Sequence, residues 1–117
     1  MQFICLIYSA PNSGPQPGTP EFGKLMQDYG NYTKKIRDDG KLVAGDALQD
    51  VETATTVSVR NGKVETMDGP FAETKEQLGG YYLLECANID EALEYAAMIP
   101  TAEYGRIEVR PVMVFDN

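Results

Sequence analysis

The residues best suited to chemistry lie around a turn in the middle of the 117-residue chain. Asp68 precedes Gly69-Pro70, so a rigid turn rather than a flexible loop would position its carboxylate. A carboxylate held in this way could act as a general acid or base, or accept a hydrogen bond from a ligand. Alternatively, Asp68 bonds to neighbouring backbone N–H groups in an Asx turn and has a structural role alone. Both interpretations remain open from the sequence.

A second set of charged residues lies near the C-terminus. Arg106, Glu108 and Arg110 occupy every second position of a predicted strand and therefore share one face. Either arginine could bind a carboxylate or phosphate through its bidentate guanidinium, although such a row can equally be a solvated or salt-bridged face. Glu85, on another predicted strand, could pair with one of these arginines because a buried carboxylate needs a partner.

Two aromatic residues complete the candidate site. Phe71 is more typical of a core or interface anchor than of a platform for a substrate, and Tyr81 is more typical of packing with its hydroxyl satisfied. The catalytic candidate is Asp68. The ligand-binding candidates are Asp68, Phe71, Tyr81, Glu85, Arg106 and Arg110.

The composition excludes several kinds of site. The chain has no histidine, so Ser-His-Asp and Cys-His catalysis are excluded. Cys5 and Cys86 lie far apart in apolar runs, which predicts two buried free thiols rather than a zinc site. No EF-hand or nucleotide-binding glycine motif occurs, although an acidic chain can bind Mg²⁺ or Ca²⁺ through carboxylates alone. We expect neither a metal site nor a cofactor.

The charge balance bears on partners and location. Eighteen acidic and ten basic residues give a net charge of −8, which disfavours direct binding to nucleic acid. No apolar run approaches the roughly 20 residues of a membrane span, and no charged segment followed by an apolar run resembles a signal peptide. We therefore expect a cytoplasmic protein without a membrane partner.

The order of predicted elements is typical of an α+β fold. Asn61-Gly62 is the two-residue turn most favoured in β-hairpins, and Gly79-Gly80, just before a predicted strand, would let another backbone or a ligand approach closely. The predicted strands span residues 2–8, 41–48, 55–60, 63–67, 81–86 and 106–115, and the two predicted helices follow Thr19 and Asn88.

Each predicted helix has one apolar face, and the last strand has another. The helix faces comprise Phe22, Leu25, Met26, Tyr29, Thr33 and Ile36 in the first helix and Ile89, Ala92, Leu93 and Ala96 in the second. In the last strand Ile107, Val109, Met113 and Phe115 are expected to face the helices. The order β-α-β-(β-hairpin)-β-α-β is a ferredoxin-like layout, in one domain that spans residues 1–117.

Two helices can cover only one face of this sheet. The central strand has an aromatic and an aliphatic residue on each face, Tyr81 with Leu83 and Tyr82 with Leu84, so neither face is fully polar. A second copy of the chain is the simplest cover for the other face, and we expect a homodimer.

The run DGPFAETKEQLGGYYLLE at residues 68–85 closely resembles the signature of the DGPF family, a branch of the YCII-related proteins. Three other segments fit the same pattern: MQFICLIYS at the start, GKLVAGDALQ at residues 40–49 and YGRIEVRPV at residues 104–112. The resemblance implies a ferredoxin-like chain that dimerises into an assembly like a dimeric α/β barrel. Related YCII proteins are similar to proteins with a proposed His-Asp pair, which this chain cannot form because it lacks histidine.

Three functions are open at this point. The first is a small dimeric protein that binds a small anionic molecule in a pocket between the sheet and residues 68–80, which we call the signature loop. The second is a protein-interaction or regulatory module, since DGPF proteins resemble chains encoded with, or fused to, extracytoplasmic-function sigma factors. The third is a histidine-independent acid/base enzyme that uses Asp68.

Overall fold

The computed structural model describes residues 1–115, and within them it shows an α+β architecture of two helices and two antiparallel sheets. The elements are β1 Gln2–Ser9, α1 Pro20–Asp38, β2 Leu42–Ala47, β3 Thr55–Arg60, β4 Lys63–Asp68, β5 Gln77–Glu85, α2 Ile89–Ala97 and β6 Arg106–Pro111. Short 3₁₀ turns occupy Val51–Thr53 and Pro100–Glu103. The last two residues of the predicted domain lie outside the described range.

The main sheet has the strand order β2-β5-β1-β6, and every neighbouring pair is antiparallel. This order is compatible with the ferredoxin-like layout that the sequence predicts. Strands β3 and β4 form a separate two-stranded sheet. No helix among residues 1–115 is long and apolar enough to cross a membrane.

Local chemistry explains the best predicted elements. The Thr19 hydroxyl accepts a hydrogen bond from the Phe22 N–H at 3.2 Å, and Pro20 opens α1 as predicted. At the hairpin turn Asn61 and Gly62 have φ values of 53° and 76°, which are the left-handed conformations that this turn requires. The helix start and the hairpin turn each depend only on residues that are close together in the sequence.

The core lies between the two helices and one face of the main sheet. The side chain of Ile36 in α1 is fully buried, whereas Met26 is 48% exposed and the unpredicted Tyr32 is buried. The fully or largely buried side chains are Phe3, Cys5, Ile7, Tyr32, Ile36, Tyr82, Leu84, Cys86, Ala92, Ala96 and Ile99.

Helix α2 packs through small residues rather than through its larger ones. Ala92 and Ala96 are buried, while Ile89 and Leu93 are 40% and 49% exposed. The predicted apolar face of α2 is therefore only half right. Alanines allow a helix to approach a sheet closely, and this approach leaves the bulkier flanking side chains at the edge of the contact.

Two strand boundaries differ from the prediction by four residues, and the others differ by at most one. Strand β5 begins at Gln77, so Gly80 lies within the strand, where a Cβ would stand 2.9 Å from the Asp46 carbonyl oxygen. Strand β6 ends at Pro111, and Met113 and Phe115 are 73% and 72% exposed rather than turned toward the helices. Strand β1 begins at Gln2, so β6 has no partner strand beyond that point.

The opposite face of the main sheet is uncovered in the single chain. Ile4 pairs with Leu83 and Leu6 with Tyr81, and these side chains, with Tyr8, are only half-buried. We call these five residues the open face. The chain measures 47 × 47 × 19 Å with a radius of gyration of 16.3 Å, against about 13 Å for a globular chain of this length. The molecule is therefore a flat slab that leaves apolar surface exposed.

Candidate functional site

A cavity of about 350 Å³ lies between α1 and the main sheet, and we call it the helix cavity. Its walls combine apolar side chains with hydroxyl groups. They include Ile7, Leu25, Met26, Tyr29, Thr101 and Tyr104. This combination of apolar walls and a few polar groups is typical of small-molecule sites.

Three hydroxyl groups form a linked set in this cavity. The Tyr29 hydroxyl lies 2.5 Å from Thr101 Oγ1, which lies 3.4 Å from the Tyr104 hydroxyl. Thr101 is buried, and burial raises the pKa of Tyr29 above its ordinary value. The Tyr29 hydroxyl therefore stays protonated near neutral pH, and each of the three hydroxyls can both donate and accept hydrogen bonds.

Distant segments bring this set together. Tyr29 lies in the middle of α1, whereas Thr101 belongs to the 3₁₀ turn that Pro100 opens after α2. Gly105 holds that turn against β1, because a Cβ at this position would lie only 2.2 Å from the Tyr8 carbonyl oxygen. Only glycine permits so close an approach.

The sheet side of the cavity is nearly flat. Gly45 and Gly80 line it without side chains, and a Cβ at Gly45 would lie 2.6 Å from the Tyr82 ring. That ring is fixed in place, since its hydroxyl lies 2.7 Å from Thr33 Oγ1 and it packs edge-on against Tyr32 at 5.2 Å. This wall therefore combines glycine backbone with a fixed aromatic ring, which lies over Gly45.

One acidic residue borders the cavity, but its side chain lies on the other side of the sheet, because Asp46 pairs with Tyr81 of the open face. The Tyr81 hydroxyl donates a hydrogen bond to Asp46 Oδ2 at 2.8 Å, and this bond raises the pKa of Tyr81. Asp46 is the one charged residue among the described residues that line the cavity.

A second and larger cleft, of about 920 Å³, lies beside the signature loop, and we call it the loop cleft. Asp68, Phe71 and Tyr8 line it. The Gly69 N–H donates to the Ala54 carbonyl at 2.7 Å, and within residues 1–115 the Asp68 carboxylate accepts no hydrogen bond. The turn is therefore not held by an Asx-type bond from Asp68. Phe71 is 82% exposed, so it is not a core residue of the single chain.

The two candidate arginines lie outside both cavities. Arg106 pairs with Glu76 at 3.3 Å in an adjoining cleft that also includes Tyr8. Arg110 pairs with Glu108 on its own strand. Both guanidinium groups are largely solvated and already have an acidic partner.

Glu85 does not pair with an arginine. Its carboxylate binds the amino group of Met1, which precedes Gln2, the residue that pairs with Glu85 in the sheet. The predicted pairing of Glu85 with Arg106 or Arg110 is therefore wrong, because β1 separates β5 from β6 in the sheet. The six candidate residues do not converge: Asp68 and Phe71 share the loop cleft, Tyr81 lies at the helix cavity, and the other three lie elsewhere.

Sequence reasoning missed the residues of the helix cavity. Tyr29 is predicted to lie on the apolar face of α1, but nothing in the sequence links it to Thr101, which lies 72 positions away. Tyr104 follows Thr101 by three residues in an irregular segment with no recognisable motif.

The cysteines and potential metal ligands do not form a further site. Cys5 and Cys86 are buried free thiols, as predicted. Burial, and to a lesser extent Cys86, raises the pKa of Cys5 to about 11, so its thiolate is disfavoured. Within residues 1–115, no three side chains of the metal-binding types cluster closely enough to hold an ion.

Comparisons with known proteins agree on the family and the fold. Residues 1–116 match the YCII-related domain. The "Uncharacterized protein R00369" of Rhizobium meliloti (strain 1021) is 37% identical over 119 residues, which cover 98% of this chain and 94% of that protein.

A solved structure has a similar fold at low sequence identity. The 5-chloro-2-hydroxyhydroquinone dehydrochlorinase (TftG) from Burkholderia phenoliruptrix AC1100, in complex with 2,5-dihydroxybenzoquinone, superimposes with a TM-score of 0.51 at 14% identity. The match covers 97% of this chain and 94% of the dehydrochlorinase. Because the domain match spans almost the whole sequence and the Rhizobium relative agrees with it, the chain belongs to the YCII-related domain family.

Proposed function

We propose that this protein binds a small, planar, hydroxylated molecule in the helix cavity. The observation that carries the proposal is the linked set of Tyr29, Thr101 and Tyr104 hydroxyls, which line a cavity whose other walls are largely apolar. An apolar wall favours a ring, and hydroxyls that donate and accept would orient the polar substituents of that ring.

The charge of the cavity favours a neutral ligand. Asp46 is the one charged residue among its described lining residues, and no cation lies beside it there. An anion would lose hydration on entry without meeting a compensating charge. An anionic ligand, which the sequence suggests, would fit this cavity poorly.

The shape of the cavity favours a single ring. Its volume of about 350 Å³ is at the small end of the range for ligand pockets. Gly45 and Gly80 leave one wall flat, and the Tyr82 ring is fixed beside it. The dehydrochlorinase of similar fold is named for a hydroxylated ring compound, so this fold can accommodate the proposed class of ligand.

The loop cleft provides a second candidate site, for an anion. Arg106 and Lys75 lie in the adjoining cleft, and Arg106 is 81% exposed, so a ligand carboxylate could compete with Glu76 for its guanidinium. Asp68 and Phe71 would then contact the rest of the ligand. A catalytic role for Asp68 has less support, because its carboxylate lies on an exposed strand end.

We also propose that the protein is a homodimer that pairs its open faces. Ile4, Leu6 and Leu83 are apolar side chains on a sheet face that no helix among residues 1–115 covers. Pairing two such faces buries both at once and gives a closed, two-fold assembly.

A matched pair of ligands and a matched pair of variants test the ligand proposal. Hydroquinone is neutral and 2,5-dihydroxybenzoate is the same ring with a carboxylate, and both can be titrated by NMR into the wild type, Tyr29→Phe and Tyr32→Phe. The Tyr32 hydroxyl donates to the Tyr95 carbonyl at 2.9 Å and does not line the helix cavity. We expect tighter binding of hydroquinone, and a Kd about fivefold weaker in Tyr29→Phe alone, since one hydrogen bond contributes about 1 kcal/mol.

Two results would contradict the proposal. The first is equal hydroquinone affinity in both phenylalanine variants. The second is tighter binding of the carboxylated ring together with its loss in Arg106→Ala, which would transfer the site to the loop cleft.

A further inference from the structure

The β3–β4 hairpin has one apolar face and one polar face. Antiparallel pairing places Val59 beside Val64 and Val57 beside Thr66. The same face ends in the pair Thr55 and Asp68, and we call these six residues the valine face. The opposite face carries Arg60, Lys63, Glu65, Ser58, Thr56 and Met67.

The valine face is exposed in the single chain. Val57, Val59 and Val64 are 63%, 58% and 70% exposed. Within residues 1–115 neither a helix nor a strand of the main sheet packs extensively against the hairpin. An isolated two-stranded hairpin is only marginally stable in water, so a surface of this kind requires a cover.

We propose that the valine face packs against a second copy of the chain, as a continuation of the interface at the open face. The inference rests on the proposed pairing of open faces and extends it to the hairpin. The hairpin would thus pack against the partner subunit rather than against the rest of its own chain.

The size of the two faces supports one continuous interface. A hairpin of six residue pairs presents a flat footprint on the order of 200 Å², and a four-stranded sheet of similar strand length about 400 Å². A standard interface buries about 800 Å² of accessible surface per partner. The two faces together present a flat footprint of about 600 Å², which approaches that size because accessible area exceeds a flat footprint, whereas the hairpin alone falls far short of it.

The distribution of charge supports the same orientation. Asp68 is the one charged residue of the valine face, whereas the opposite face carries Arg60, Lys63 and Glu65. Depletion of charge is the compositional mark of an interface core. Arg106 and Arg110, on the edge strand of the main sheet, are largely exposed beside Glu76 and Glu108 and provide cations that Asp68 of the partner subunit can share.

This arrangement gives the signature loop a role in assembly. Asp68 ends the valine face, and Phe71 follows it at 82% exposure. An exposed aromatic residue next to an apolar hairpin face is a typical interface anchor. The interface would therefore contain both residues.

Two adjacent positions on opposite faces of β3 provide the test. Val57→Glu places a carboxylate on the valine face, and Ser58→Glu places the same group on the polar face. The dimer Kd is measured by sedimentation equilibrium for the wild type, both variants and Leu6→Glu on the open face. We expect Val57→Glu and Leu6→Glu each to weaken the dimer at least about tenfold, and Ser58→Glu to change it less than about threefold.

A measurement on the wild type avoids dependence on how the variants fold. A soluble paramagnetic probe should broaden the methyl NMR signals of Val57, Val59 and Val64 far less in concentrated dimer than after dilution to monomer. Equal broadening in both states overturns the inference.

The remaining outcomes separate the two proposals. If Leu6→Glu weakens the dimer but Val57→Glu matches Ser58→Glu, the hairpin inference fails and the pairing of open faces stands. A wild type that stays monomeric overturns both, and the valine face would then be available to a different protein, such as the sigma factor that the sequence suggests.

Discussion

The close approach of Gly105 to β1 leads to a sharp prediction, because this contact positions the Thr101 hydroxyl in the helix cavity. A Cβ at residue 105 would lie 2.2 Å from the Tyr8 carbonyl oxygen and 2.9 Å from Thr101 Cγ2. The first contact is with backbone, so a rotamer change cannot relieve it. We expect Gly105→Ala to lower the free energy of unfolding by about 3 kcal/mol, the upper part of the range for overpacked sites.

The same substitution at Gly30 provides a control, because it should raise the free energy of unfolding rather than lower it. Gly30 is exposed within α1, and no neighbouring atom lies within 4 Å of the position of an added Cβ. Alanine at an exposed helix position stabilises by about 1 kcal/mol relative to glycine. For a chain of this length, 1 kcal/mol corresponds to about 4 °C in Tm. Gly105→Ala should therefore melt about 12 °C below the wild type, and Gly30→Ala about 4 °C above it.

Circular dichroism melts of the three proteins at one concentration measure these shifts. The concentration must be equal because association changes the apparent Tm. A Gly105→Ala protein that melts within about 2 °C of the wild type would refute the placement of the Pro100–Glu103 turn against β1. Failure of Gly30→Ala to stabilise would instead refute the assignment of an open helical site.

Two further predictions concern the core. In the folded state the pKa of the Cys5 thiol is about 11, whereas its ordinary value is 9.0, so the stability that the protonated thiol contributes is complete below pH 9.0 and is lost as pH rises toward 11. Urea unfolding across this range should show a free energy of unfolding that falls less steeply with pH in Cys5→Ala than in the wild type. An unchanged dependence on pH would contradict the burial of the thiol. Leu84→Ala should lower the free energy of unfolding by about 3 kcal/mol because Leu84 is fully buried. Leu93→Ala, at a position that is 49% exposed, should lower it far less. Similar urea midpoints for the two variants would contradict the assigned core.

Much of the fold was predictable because its signals are local. The Asn61-Gly62 turn and the Thr19-Pro20 helix start depend on φ preferences and on hydrogen bonds between near neighbours. Strand β6 was predicted too long, because alternation continues past Pro111 after the partner strand has ended. Alternation of apolar and polar residues indicates that a segment can form a strand, but the strand forms only where another strand lies beside it to pair with.

The residues of the candidate site were less predictable from the sequence than the fold. The sequence drew attention to Asp68 because its turn has a distinctive motif, and the structure does place Asp68 and Phe71 in one cleft. It gave no reason to associate Tyr29 with Thr101, since contacts between distant segments leave no periodic signal. Charged residues attracted attention at Arg110 and Glu85, whose partners are Glu108 on the same strand and the amino group of Met1.

The amino-acid sequence by itself determined the element order, the hairpin turn, the helix starts and the absence of histidine chemistry. These features depend on residue type and short-range geometry. Tertiary structure alone decided which hydroxyls meet in the helix cavity, that Asp46 pairs with Tyr81, and that the valine face remains uncovered. Those outcomes depend on how the helices and strands pack, which joins residues that are far apart along the chain.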